Sequence, residues 1–287
     1  MFSIIIRQTL VVFCFSNILR NFIAQFKQMT SVVFIGAGNL ATSVAINFWK
    51  SGFAINQVIA NSKESAMRLA QKVGATYSNS LDELNARANL YVVAVPDSQI
   101  EPVLNELQPM NQMVVHTSGS TSIEVFDKKK FPAHGVFYPF QTFSKSRIVE
   151  LKEVSICVEA NSSTGLQALL DIAHAVSHKV VTMDSEQRRW LHLTGVFGSN
   201  FVNHILALTH QITTAKGIDF AIIEPLVKET VLKAFMGNPV DMQTGPAVRH
   251  DAETLSKHAQ MLEDFNPELQ KIYNELSLEI QKFAAAK

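Results

Sequence analysis

Cysteine is scarce in this sequence of 287 residues, and neither sign of charge dominates it. The two cysteines, Cys14 and Cys157, are far apart and form no CxxC pair, which excludes a disulfide framework and is typical of a reducing compartment. Basic and acidic residues number 25 each, so no positive field is available to hold a nucleic acid. We therefore expect a cytoplasmic protein without a nucleic-acid partner.

Metal-binding spacings and long hydrophobic runs are also lacking. The nine histidines include no HExxH or comparable spacing, so we expect no metal site. The apolar segment 1–29 is interrupted by Arg7, Arg20 and Lys27, and the stretch between the arginines is shorter than the about 20 residues of a membrane span. We interpret Met29 as the true first residue and expect no membrane partner; the alternatives are a membrane-surface or targeting segment and an additional helix.

What the sequence does contain is a strand–helix alternation that continues to residue 183. Short apolar runs rich in β-branched residues alternate with helical segments, which indicates βαβ units and a parallel sheet. The predicted strands are Ser31–Ile35, Val58–Ala60, Leu90–Val95, Met113–His116, Val154–Val158 and Lys179–Thr182. The predicted helices between them are Asn39–Lys50, Lys63–Val73, Ile100–Leu107 and Leu166–Val176.

Beyond this region the pattern is helical only. Asp184 and Gln187 are spaced as a capping box, and the helix they begin is predicted to extend to Ala215. Further helices are predicted at Pro225–Phe235, Asp251–Phe265 and Pro267–Phe283. The fold class is thus α/β, a Rossmann doubly wound parallel sheet followed by an all-α domain. We divide the chain into an N-terminal extension (1–29), a nucleotide-binding domain (30–183) and a helical domain for substrate binding and dimerisation (184–287).

A glycine-rich turn joins the first strand to the first helix, the context that distinguishes a dinucleotide site from a chance glycine pattern. Gly36 permits the tight turn, Gly38 allows the backbone to approach a pyrophosphate, and Ala41 lets the helix pack closely. The predicted cofactor contacts in this turn are Gly36, Ala37, Gly38, Asn39, Leu40 and Ala41.

The end of the second strand indicates which nicotinamide cofactor is bound. An NAD site places Asp or Glu here to bind the ribose hydroxyls, whereas this sequence has Asn61, Ser62 and Lys63. A neutral amide, a hydroxyl and a cation are better suited to a 2′-phosphate, so we predict NADP. The alternative is that Lys63 is a solvated lysine and the site accepts either cofactor.

Two further polar segments follow predicted strands, at the edge where open α/β sheets bind ligands. Asp97 comes after the third strand and His116 ends the fourth. Either can be a reactive group. Alternatively, Asp97 caps the helix that follows and His116 is hydrogen-bonded to the backbone.

The motifs together resemble the uncharacterised Rossmann-like NADP oxidoreductases, which carry a helical domain of unknown function. That family is related to pyrroline-5-carboxylate reductase, ketopantoate reductase and the β-hydroxyacid dehydrogenases. The matching motifs are VVFIGAGNLA (32–41), VAVPDSQI (93–100), VVHTSGS (114–120), HGVFYPFQTFS (134–144), VFGSNFVNH (196–204) and GPAVRHD (245–251). The resemblance covers nearly all of residues 29–287 and implies a small-molecule substrate and a homodimer formed through the helical domain.

The resemblance also assigns sites. It implies that the glycine turn and Asn61–Lys63 bind the dinucleotide, and that two loops flank its nicotinamide half. The residues of these loops are Ala94, Val95, Pro96, Thr117, Ser118 and Gly119. The segments implied to face the cleft between domains are His134–Phe143, Ser199–His204 and Gly245–Asp251.

The catalytic group is the least determined part. The related dehydrogenases use a lysine on the first long helix of the second domain, but this sequence has none between Trp190 and Ala215. We therefore favour imine reduction over ketone reduction, because a developing alkoxide requires a proton or a positive partner. The predicted catalytic residues are the substrate-orienting Asn200 and Asn203 and the proton donors His116 and His134, with His204 as a further candidate. The alternatives are that the asparagines cap a kink near Gly198, and that the protein is a non-catalytic NADP sensor.

Overall fold

The computed structural model of the chain describes residues 30–285. These residues form two compact units, the first ending at Ser199 and the second beginning at Asn200. The segment 1–29, where we expect an extension, lies outside the described residues. The predicted domain boundary after residue 183 stays a prediction.

The first unit is built on one eight-stranded sheet. Its strands are β1 (Ser31–Ile35), β2 (Ala54–Ile59), β3 (Thr76–Ser78), β4 (Leu90–Val93), β5 (Met113–His116), β6 (His134–Pro139), β7 (Ile156–Ala160) and β8 (Val180–Thr182). They lie in the order β3-β2-β1-β4-β5-β6-β7-β8, and neighbours are parallel except β6 and β7. Because β1 has β2 on one side and β4 on the other, the predicted doubly wound Rossmann topology is confirmed.

Helices cover both faces of this sheet. They are α1 (Asn39–Lys50), α2 (Lys63–Val73), α3 (Asp97–Glu106), α4 (Ser163–Val176) and α5 (Ser185–Gly195). Phe34 and Val92 belong to the core on one face, whereas Val33 and Tyr91 belong to the core on the other. Successive strand residues alternate between two buried faces, which explains why these strands are continuous apolar runs.

Two strands are absent from the sequence prediction. β3 is a three-residue edge strand whose first two side chains are exposed, so it has no apolar run. β6 is wholly buried, but His134, Gly135 and Pro139 interrupt its apolar pattern. The antiparallel pairing of β6 with β7 corrects the expectation of a purely parallel sheet.

The long helix predicted from Asp184 is interrupted. Asp184 and Gln187 form the predicted capping box, each side chain accepting a hydrogen bond from the other residue's amide. α5 is followed by a π-helical turn at Val196–Phe201 and then by α6 (Val202–Ala215). The π-helical turn contains Gly198, where a kink is predicted.

The second unit contains helices only. Besides α6 they are α7 (Glu224–Ala234), α8 (Ala252–Phe265) and α9 (Pro267–Ala285), close to the predicted bounds. α8 and α9 pack against each other as a helical hairpin. Within residues 30–285, no helix combines the length and the apolar character that a membrane crossing needs.

Candidate active site

Gly36, directly after β1, contacts the ends of β2 and β4. Its φ of +117° is a conformation that residues with a side chain rarely adopt, and its amide donates a hydrogen bond to the Ile59 carbonyl at 2.7 Å. A Cβ added here would lie 2.1 Å from the Ala94 carbonyl oxygen. At Gly38, by contrast, φ is −73° and no described atom lies within 4 Å of an added Cβ. Gly36 therefore permits the fold, whereas Gly38 leaves space in front of α1.

That space belongs to a cleft of about 420 Å³ at the carboxyl ends of β1, β2 and β4. The cleft is lined by the glycine turn, by Ala60 and Asn61 after β2, and by Ala94–Pro96 after β4. No side chain caps the start of α1 at Asn39, so its first amides are available to an anion. The other residues of the turn pack against the sheet core: Ala37, Leu40 and Ala41. The donors and the open space fit a phosphate group.

The end of β2 presents no free carboxylate to this cleft. Asn61 lines the cleft, the Ser62 hydroxyl caps α2, and Lys63 is exposed as the first residue of that helix. The nearest acidic side chain along the chain, Glu64, is bound to Arg68 at 3.1 Å. The end of β2 therefore contributes the amide of Asn61 to the cleft lining, and the only carboxylate among the lining residues is that of Glu106, from α3.

The loop after β5 continues the same edge of the sheet. The Thr117 amide donates to the Val93 carbonyl at 3.2 Å, so the loop lies beside the end of β4. Ser118 shapes the loop, since its hydroxyl accepts hydrogen bonds from the amides of residues 120 and 121. Asp97 does not cap α3: Pro96 precedes the helix, and the Asp97 carboxylate accepts a hydrogen bond from the Ser120 hydroxyl.

The two histidines predicted as proton donors lie inside the first unit. His116 is fully buried and its Nδ1 accepts a hydrogen bond from the Ser118 amide at 3.2 Å. Burial, with the positive charge of Arg188, lowers the pKa of His116 to about 3. The buried His134 bonds to the Phe131 carbonyl through Nδ1 at 2.6 Å. The Nδ1 bond matches the structural alternative for His116, whose buried Nε2 has no hydrogen-bond partner among the described residues. The role of the two histidines as proton donors stays a prediction.

A tyrosine–histidine pair that the sequence analysis missed lies beside Gly119. Tyr138 Oη and His192 Nδ1 are 3.1 Å apart, and they lie 2.8 and 2.7 Å from the position of a Cβ on Gly119. Burial, followed by the charges of Cys157 and Asp97, raises the pKa of Tyr138 to about 12, against an opposing effect of Arg188. The phenol therefore stays protonated at neutral pH.

One face of α5 holds this pair in place. Arg188, His192 and Gly195 are spaced i, i+4 and i+7, so they share a face of the helix. The Arg188 side chain is fully buried, is ion-paired with Glu159, and donates to the Thr121 carbonyl. A Cβ on Gly195 would lie 2.7 Å from the ring of Phe140. Three contacts thus fix α5 against the β5–β6 side of the sheet.

The predicted asparagines belong to the second unit. Asn200 lies in the π-helical turn and Asn203 in the first turn of α6, and both are exposed. Their role as substrate-orienting groups stays a prediction. Among residues 30–285, no group of three or more His, Cys, Asp or Glu side chains is placed to hold a metal ion.

Comparison with known proteins identifies the family. The Rossmann-like domain matches residues 23–130, and a domain of unknown function, DUF2520, matches residues 154–280. A crystal structure from Bacteroides fragilis, described as a "putative NADP oxidoreductase", is 40% identical over 88% of this chain and 98% of its own, with a TM-score of 0.81. The chain belongs to this Rossmann-like, DUF2520-containing family. A search of curated proteins finds no match.

More distant members of the fold are also similar in structure. A protein from Thermotoga maritima is 24% identical, with 88% of this chain and 99% of that chain covered and a TM-score of 0.74. The imine reductase from Myxococcus stipitatus in complex with NADP⁺ is 14% identical, with 89% and 94% covered and a TM-score of 0.62. β6, which carries Tyr138, falls in the stretch of sequence between the two matched segments, 23–130 and 154–280.

Proposed function

We propose that this protein is an NADP-dependent oxidoreductase that transfers hydride to a small carbonyl or imine substrate, with imines favoured. The observation that carries this proposal is the cleft at the ends of β1, β2 and β4, which combines an uncapped helix start with the open space at Gly38. When bound there, the cofactor supplies the hydride, and the chain has to bind and orient the cofactor and the substrate.

NADP is favoured over NAD by the end of β2. Asn61 lines the cleft and Lys63, two residues later, is exposed at the start of α2, whereas the carboxylate of Glu64 is engaged by Arg68. The structures of similar fold add support, because they include proteins described as an NADP oxidoreductase and as an imine reductase in complex with NADP⁺.

Imines are favoured as substrates for a chemical reason. An imine nitrogen can arrive protonated, so that hydride addition creates no anion, and no lysine is available on the helix where related dehydrogenases place one. Among the proteins of similar fold are imine and pyrroline-5-carboxylate reductases. We assign Asn200 and Asn203 to orienting the substrate. Replacing both with Ala should abolish turnover while leaving NADPH affinity intact; full turnover in the double variant would remove them from the site.

The test of this function combines binding with a substrate panel. Calorimetry on the purified full chain should give tighter binding of NADPH than of NADH. A panel of cyclic imines, ketones and aldehydes is then followed by NADPH absorbance, and at least one imine should be reduced. Absence of NADPH binding contradicts the proposal outright. Binding without turnover across the panel would instead favour a non-catalytic NADP sensor.

We also propose that the protein is a homodimer formed through the second unit, in the cytoplasm. Exposed apolar side chains are concentrated there: Ile222, Leu226, Leu232, Phe235 and Met236 are each at least 65% exposed in the single chain. A second copy would cover such a surface. Light scattering should give twice the chain mass for the wild type and a monomer for Phe235→Glu; a monomeric wild type would contradict the proposal.

A further inference from the structure

Reduction of a carbonyl, or of an imine that arrives unprotonated, requires a proton donor. His116 and His134 are buried and bonded to the backbone through Nδ1, the Asp97 carboxylate is bound by Ser120, and His204 is exposed in the second unit. We propose that Tyr138 donates the proton to the substrate and that His192 restores it. This inference rests on the proposed function and deepens it, because it supplies the group whose absence disfavoured carbonyl substrates.

The position of the pair along the sheet is the first argument. The cleft occupies the ends of β2, β1 and β4, and the next strands in the sheet are β5 and β6. A dinucleotide whose phosphates lie against the β1 turn extends to both sides of that strand. With its adenosine half towards β2, the reactive half extends towards β5 and β6. Tyr138 lies near the end of β6, beyond the loop that carries Gly119.

The contact with Gly119 is the second argument. Both polar atoms of the pair lie within 2.8 Å of the position that a Cβ on Gly119 would occupy. The pair thus abuts the loop implied to flank the nicotinamide, and only glycine leaves room for it there. Tyr138 is 8% exposed, whereas His192 is half-buried and can exchange protons with water.

The Tyr138 hydroxyl carries its proton at neutral pH. Its raised pKa makes it a weaker acid than a free tyrosine, so the assignment as donor rests on the position of the hydroxyl beside Gly119. The groups that act on it are Asp97 from α3, Cys157 from β7 and Arg188 from α5. His192 Nδ1 is 3.1 Å from Tyr138 Oη and its ring is half-buried, so His192 can pass a proton between water and the phenol.

The proton transfer balances. The O–H bond of Tyr138 breaks as its proton forms a bond with the substrate nitrogen or oxygen. The imidazolium of His192 passes its Nδ1 proton to the phenolate oxygen, which restores the phenol. The neutral imidazole then takes a proton from water. Together with the hydride, one proton is added across the C=N or C=O bond, and no other reactant is consumed.

A crystal structure of the full chain with NADP⁺ tests the placement without any substrate. Tyr138 Oη should face the nicotinamide C4, with space for one substrate atom between them. A bound nicotinamide that is screened from Tyr138, or that lies on the β2 side, would overturn the inference while leaving the proposed function standing. Failure of NADP⁺ to bind in calorimetry would overturn the proposed function itself, so the two failures are distinguishable.

Kinetics with 2-methylpyrroline and cyclohexanone as probes test the chemistry. Tyr138→Phe keeps the ring and removes only the hydroxyl, so kcat should fall by about 10²–10⁴-fold while the NADPH dissociation constant is unchanged. Tyr91→Phe is the matched control: its hydroxyl donates to the Asn85 carbonyl at 2.7 Å inside the core, and its loss should leave kcat unchanged. Equal kcat in Tyr138→Phe and wild type overturns the inference, and if neither probe is reduced, the crystal structure decides.

His192→Gln separates proton supply from structural support. The Gln amide can still hydrogen-bond to the phenol but cannot exchange protons near neutral pH. We expect a lower kcat and a larger solvent isotope effect on kcat than in wild type, because the return of a proton to the phenolate is slowed. An unchanged solvent isotope effect at wild-type NADPH affinity would assign His192 a purely structural role and overturn this part of the inference.

Discussion

Gly36 and Gly119 follow strands of the same sheet, yet they are required for different reasons. Gly36 has a positive φ and approaches a backbone carbonyl, so the backbone conformation of the turn itself requires glycine at this position. The space at Gly119 is filled instead by side chains from β6 and α5. At the β1 side of this sheet edge, backbone atoms therefore surround the glycine. At the β5–β6 side, the surrounding atoms belong to side chains that tertiary packing brings together. The proposed binding groups on the first side are local in sequence, whereas the proposed reactive groups on the second are not.

The strongest test of this comparison is Gly36→Ala set against Gly38→Ala. The Gly36 variant combines backbone strain with a contact of 2.1 Å to a carbonyl oxygen, so it should lose at least about 4 kcal/mol of the free energy of unfolding. Gly38→Ala adds a methyl group into open space and should remain within about 1 kcal/mol of wild type while binding NADPH weakly. Urea denaturation and calorimetry measure both. Similar destabilisation of the two variants would contradict the distinction.

On the β5–β6 side, the position of α5 depends on Arg188. Arg188→Met leaves the Glu159 carboxylate, whose side chain is 15% exposed, without its positive partner, which should lower the free energy of unfolding by about 3 kcal/mol. Arg189→Met alters the adjacent exposed arginine and is the matched control, with a change near zero. Urea denaturation of both variants is the measurement. Wild-type stability in Arg188→Met would mean that α5 is held by other contacts.

The sequence predicts the β1 side of the candidate site better than the β5–β6 side. The bounds of α1 and α2 agree with the sequence prediction to the residue, because a strand, a glycine turn and the helical segments beside them are local signals. The Tyr138–His192 pair was missed, because its members are 54 residues apart and β6 is masked by His134, Gly135 and Pro139. The surroundings of His116 were not predictable for a related reason: the packing of Phe126 against its ring, at 5.6 Å between ring centres, involves a residue outside the strand.

Gly119→Ala tests the β5–β6 side without a substitution at Tyr138 or His192. Its Cβ would lie 2.6 Å from the Tyr138 ring and 2.7 Å from His192 Nδ1, so the two rings must move apart. A displacement of this size at a reacting group can reduce kcat by about 100-fold, which we expect here, with folding retained because side-chain ends can shift. Steady-state kinetics and the thermal midpoint of unfolding report the two effects. Wild-type kcat would show that the spacing of the pair is not needed.

The smallest effect is expected where a single exposed side chain discriminates between cofactors. Lys63 begins α2 at the end of β2 and is exposed, so a contact with a 2′-phosphate would be partly screened by water and salt. Lys63→Ala should weaken NADPH binding by roughly tenfold, or about 1.4 kcal/mol, and leave NADH binding unchanged. Lys72→Ala, in the last turn of the same helix, removes an equal charge away from the cleft and should change neither. Because the contact is electrostatic, the NADPH effect should shrink as salt is added. Equal weakening of both cofactors in calorimetry would mean that Lys63 contributes only general attraction, and Asn61 would then be the remaining candidate for the discriminating contact.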